Sequence, residues 1–128
     1  MTNFLKFVMV IIPFTFAFIP AMAQVPQSMN YQAVARDAGG NILANQTVGL
    51  RLSILAGSGA GTAVYVETQT TSTNQFGLFT IAIGSGTIVT GTFSTINWST
   101  GLYWLKVEMD ATGGANYIVM DVMNVRKN

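Results

Sequence analysis

The sequence has no cysteine and no histidine, and only 9% of its 128 residues are charged. Without cysteine there is no disulfide, so stability must come from burial and from sheet hydrogen bonds. Without histidine the commonest general base and metal ligand is missing. The two absences together exclude Ser-His and Cys-His triads and the usual zinc sites. Six basic residues face five acidic ones. No basic footprint for nucleic acid exists, and that class of partner is set aside. Helical periodicity is also lacking. These absences predict a non-enzymatic chain with no cofactor.

The one long apolar run stands at the start. Lys6 precedes a stretch, residues 7–19, that is apolar except for Pro13 and Thr15. Ala21-Met22-Ala23 supplies small residues at the two positions a signal peptidase reads. This is the layout of a secretory signal peptide over residues 1–23, cut before Gln24. The run is short of the roughly 20 residues a membrane span requires, so no stable span is expected after cleavage. Residues 24–128 then form a single secreted domain. Losing Lys6 leaves five basic residues against five acidic ones, a net charge near zero.

What is present is period-2 alternation. In residues 47–54, Val48, Leu50, Leu52 and Ile54 fall on one side and Thr47, Gly49, Arg51 and Ser53 on the other. Successive strand side chains point to opposite faces, so one face is buried and one is wet. Further strands are expected at residues 29–36, 63–72, 76–83, 102–110 and 116–122. Residues 63–72 divide into Val64, Val66, Thr68 and Thr70 against Tyr65, Glu67, Gln69 and Thr71. Glycine-rich or Asn-containing turns separate the strands at residues 37–41, 56–62, 73–75, 84–86 and 111–115. The glycines of 56–62 lack the lysine and helix of a phosphate-binding loop, so they read as a hairpin loop. Residues 87–100 are less regular. They are expected to cross over an open end of the fold, with Phe93 and Trp98 as plugs, and residues 123–128 to form a polar tail. The whole predicts an all-β fold: an antiparallel β-sandwich of about seven strands, with open edges that invite strand addition.

Several stretches resemble a family of secreted modules common in Bacteroidetes surface proteins. They are Pro26-Gln27-Ser28-Met29-Asn30-Tyr31-Gln32-Ala33-Val34-Ala35-Arg36-Asp37, Gly40-Asn41-Ile42-Leu43-Ala44-Asn45-Gln46-Thr47-Val48, Gly77-Leu78-Phe79, Ile83-Gly84-Ser85-Gly86, Phe93-Ser94-Thr95-Ile96-Asn97-Trp98 and Gly101-Leu102-Tyr103-Trp104-Leu105-Lys106-Val107-Glu108. The resemblance implies an N-terminal, non-catalytic β-sandwich at the cell surface. In such proteins it often stands ahead of collagen-like or tail-fibre-like regions. A weaker likeness links the Asp-x-x-Gly-Asn turn and the Gly-x-Tyr-x-Leu-Lys-Val strand to carboxypeptidase-regulatory and transthyretin-like domains, within the broader immunoglobulin-like class. The likeness ends after Tyr117, where the familiar continuation gives way to Met120-Asp121-Val122-Met123-Asn124-Val125.

Candidate sites are few. Glu108 and Asp110 share a strand face with Lys106, and an exposed polar face gives paired carboxylates no separation of their acidities. Asp37 and Asn41, with Asp110 or Asp121, offer oxygen ligands for calcium, but in no defined loop spacing. The aromatic residues Tyr65, Trp98, Tyr103, Trp104 and Tyr117 remain. Trp104, on the outward face with Lys106, and Tyr65 are the candidates for a ligand or interface surface. The function expected is a structural or adhesive module of the cell surface, acting through a protein partner or self-association. The alternative is a carbohydrate-binding module that stacks a glycan on exposed aromatics.

Overall fold

The computed structural model describes residues 28–99 and 101–125. The expected signal peptide over residues 1–23 lies outside them. Among the described residues seven strands form in chain order: β1 (Met29–Val34), β2 (Thr47–Ala56), β3 (Thr62–Ser72), β4 (Leu78–Ile83), β5 (Thr87–Thr90), β6 (Tyr103–Asp110) and β7 (Ile118–Val125). A 3-10 turn, Phe93–Thr95, lies between β5 and β6. All pairing is antiparallel, in two unequal sheets: β1-β4, and β5-β3-β2-β6-β7. The described residues contain no helix long and apolar enough to cross a membrane.

The two sheets share one core. Val48, Leu50, Leu52 and Ile54 of β2 are fully buried, as their alternation predicts. Phe79, Ile81 and Ile83 of β4 and Tyr31 of β1 cover them from the smaller sheet. Leu105, Val107 and Met109 join the same core, but not from across it. They lie beside β2 in its own sheet, with Leu52 opposite Val107 and Ile54 opposite Leu105. Alternation states which face a residue is on; it does not state which strand is its neighbour.

Three expectations are corrected. The wet side of β2 is largely covered: Gly49 and Ser53 are buried and Arg51 only partly exposed. The turn after β6 closes over Gly49, where an added Cβ would collide with the Gly114 carbonyl oxygen. Residues 87–90 are not irregular crossover but a strand, β5, paired with β3 through Glu67–Ile88 and Thr68–Thr87. All four of its side chains are exposed, so it lacks the alternation that marks a half-buried strand. The last strand runs on through Met123 to Val125, pairing with Leu105 and Tyr103. Phe93 is buried and Trp98 packs on the core, as plugs should.

β4 runs beside β3, where Gln69 Nε2 donates to the Ala82 carbonyl (2.7 Å). Tyr31 of β1 is within reach of the charge on Asp121 of β7. The small sheet therefore extends from β3 toward β7 and leaves both outer strands of the large sheet at open edges.

Candidate functional site

The inner face of β3 carries Tyr65 and Glu67, both fully buried. Tyr65 is thus not a surface residue, and it cannot stack on a ligand. Phe93 meets its ring edge-on (5.3 Å between centroids). Phe93, Trp98 and Tyr103 continue as a chain of aromatic contacts across that end. Burial pushes the Tyr65 phenol up to about 12, and the neighbouring Glu67 charge adds to this. The Tyr65 hydroxyl itself has no well-formed hydrogen bond.

Glu67 has no cation at hand among the described residues. Its carboxylate accepts backbone N–H groups of Gly84 and Gly86 and a hydrogen from Gln69 Nε2. Three donors satisfy a buried carboxylate that would otherwise be costly. Gly86 has no space for a side chain against Glu67 and Gln69. The residue thus clasps the link between the two sheets.

The outer face of the large sheet holds the other charged cluster. Cross-strand register places Arg51 opposite Glu108, Ser53 opposite Lys106 and Leu55 opposite Trp104. Arg51 grips Glu108 with two parallel hydrogen bonds, Nε to Oε1 (3.0 Å) and Nη2 to Oε2 (2.6 Å). Lys106 Nζ stands 3.9 Å from Glu108 Oε1. The Tyr117 ring covers the guanidinium, 4.8 Å from Cζ to centroid. Arg51's hydrogen bonds hold the Glu108 carboxyl below its ordinary value, against the opposing effect of burial. Glu108 and Asp110 are buried, not the exposed pair expected. Asp110 caps its own turn, accepting from Thr112 N and Oγ1 and from Asn116 N, and these bonds hold its carboxyl below the ordinary value. Asp37 does the same for the Gly39 and Asn41 amides. The four carboxylates are therefore engaged by the fold itself. Among the described residues no three His, Cys, Asp or Glu side chains gather to hold a metal ion.

Trp104 and Lys106 do lie on this outer face, both partly exposed. Trp104 is not an open platform. The β2–β3 loop crosses it: a Cβ on Gly59 would stand 3.5 Å from Trp104 Cε3 and 3.2 Å from Val122 Cγ1. Its indole N–H is buried without a partner. The structure does not bring Tyr65, Trp104 and Lys106 together, since Tyr65 occupies the opposite face.

The large apolar side chains left in water belong chiefly to the outer strands and turns. Ile118 (69%), Val119 (52%) and Val122 (38%) are exposed along β7, and Ile88 and Val89 along β5. Sequence reasoning placed strand edges in general terms and missed β7 as the apolar one. The run Ile118-Val119-Met120, apolar at three successive positions, is the signal that could have marked it.

Residues 30–122 match the model of a family described as a domain of unknown function (DUF8740). No curated protein and no solved structure matches the chain.

Proposed function

Since the chain belongs to the DUF8740 family, we propose that it is a secreted, non-catalytic module of the cell surface, structural or adhesive in role, that works through protein contacts. The observation carrying this reading is the open β7 edge, with Ile118, Val119 and Val122 exposed along it. Exposed apolar side chains on an unpaired strand favour association with another chain. The engagement of Asp37, Glu67, Glu108 and Asp110 in internal bonds supports a non-catalytic role. The unequal sheets over a shared core fit a β-sandwich of immunoglobulin-like or transthyretin-like kind. Residues 1–23, as a cleaved signal peptide, fit export. The likeness to surface modules of Bacteroidetes points the same way.

One observation favours the carbohydrate-binding alternative: the unpartnered indole N–H of Trp104. That reading requires the loop over its ring to lift. A bead assay separates the two. Beads coated with the chain are expected to cluster with one another, or with cells that display its partner, in the presence of excess free glycans. No clustering, together with a glycan-array signal that Trp104→Ala abolishes, would overturn the protein-contact reading.

A further inference from the structure

Burial stops abruptly between β6 and β7. Val107 and Met109 of β6 are buried, while their register partners Asp121 and Ile118 on β7 are exposed. All four stand on the inner side of the large sheet, where Val107 and Met109 join the core. The small sheet ends short of them. β4 takes its β3 side, through Gln69 and the Ala82 carbonyl, and Tyr31 of β1 lies within reach of the Asp121 charge. The free edge of β1 therefore points toward β7.

That edge is open in its backbone as well. Ala35 N donates to the Gly77 carbonyl (2.8 Å), one step beyond the Val34–Leu78 pair. Hydrogen-bonded and non-bonded pairs alternate along an antiparallel ladder. Asn30, Gln32 and Val34 thus turn their backbone N–H and C=O groups away from β4. No described strand pairs with them there, and β1 holds neither proline nor lysine to blunt the edge. A strand added beside β1 would stand about 4.8 Å further on, above the uncovered inner side of β7.

Asp121 states what that strand must carry. It is the one charged residue of β7 and has no ion-pair partner among the described residues. A covering strand takes its carboxylate out of water, where an unpaired charge is costly. The strand must therefore set a cation among its apolar side chains. The chain's own described strands do not: their basic residues, Arg51 and Lys106, lie on the outer face with Glu108.

We propose that the free edge of β1 and the inner side of β7 form a docking groove for an extended segment of another protein, one that alternates apolar and polar residues and carries a lysine or arginine on its apolar side. Backbone pairing with β1 supplies the adhesion, and Asp121 selects the partner. This rests on the protein-contact reading and names the chemistry of the partner.

The test uses the full chain as released by the host that expresses it. The probe is a capped synthetic peptide, Thr-Val-Thr-Lys-Thr-Val-Thr, titrated in and followed by amide NMR shifts. Shifts are expected at Asn30, Gln32, Val34, Ile118 and Asp121. Asp121→Asn should weaken binding by about threefold to tenfold. Asp121→Lys should reverse the preference, binding the same peptide with glutamate in place of lysine more tightly. Methylating alternate peptide nitrogens should abolish binding, and Thr87→Lys, on the far edge strand, should leave it unchanged. No shift along β1, equal binding of both peptides by wild type, or full binding by the methylated peptide overturns the proposal. Self-association of the chain that Asp121→Lys abolishes would make a second copy the occupant and overturn it too. If beads cluster while the peptide leaves β1 unmoved, the groove fails and the protein-contact reading stands. If beads fail to cluster with one another and with partner-displaying cells, and the peptide does not bind, both fail.

Discussion

Glu67 is the residue on which local physics and hydropathy disagree most. It is fully buried with backbone amides as its chief partners. Its neighbours Val64 and Val66, more apolar, lie on the outer side of β3 and are less buried. Hydropathy along β3 could not select the inner face, because the amides that compensate Glu67 come from a turn almost twenty positions on. Tyr65 was misread as a surface aromatic for the same reason. Removing the carboxylate leaves the Gly84 and Gly86 amides without acceptors, so Glu67→Ala is expected to destabilise the fold by about 2–4 kcal/mol in urea unfolding. An effect near zero would mean that the clasp contributes nothing. The other carboxylates give a sign for acid. Glu108 and Asp110 lie below their ordinary values of 4.5 and 3.8 in the fold. A carboxyl that is more acidic when folded stabilises above its unfolded value, and the gain is lost as pH falls through the folded value. Stability should therefore decline on acidification below pH 4.5, read by denaturant titration against pH. At the alkaline end Tyr31 and Tyr65 are raised from 10.0 to about 12, both chiefly by burial. Their contribution is present below pH 10 and is lost as pH rises toward 12. Two of the four tyrosines should thus ionise late in an ultraviolet titration.

At the scale of elements, the strands with one dry face were legible. β2 and β4 show their alternation plainly, and burial follows it at Val48, Leu50, Leu52, Ile54, Phe79, Ile81 and Ile83. β5 was not legible, because a short strand exposed at every position has no pattern to read. The covered outer side of β2 was not legible either. It depends on the β6–β7 turn folding back over Gly49 and on Glu108 meeting Arg51 from a neighbour 57 positions away. Gly49→Ala tests that closure. A methyl group there has no room beneath Gly114, and the variant should lose about 1–3 kcal/mol. Gly101→Ala is the control: its added Cβ meets nothing within 4 Å. Equal stability of the two variants would show that the turn moves aside freely. Leu52→Ala, at the centre of β2, should cost about 2–5 kcal/mol.

At the scale of the molecule, a five-stranded sheet faces a two-stranded one. This imbalance was not in the sequence pattern, since which strands join which sheet is settled by long-range pairing. It leaves β5 and β7 as outer strands, and the protein contact proposed above lies at an edge instead of at an aromatic face. Trp104 was found correctly on the outer side, but the loop that covers it comes from 45 positions earlier, at Gly59. The most direct test of the protein-contact reading is bead clustering by the wild-type chain, by Trp104→Ala and by Val119→Lys, which puts a charge on the exposed β7 edge, side by side. Trp104→Ala is expected to cluster as the wild type does and Val119→Lys far less. Clustering lost in Trp104→Ala and retained in Val119→Lys would contradict the reading.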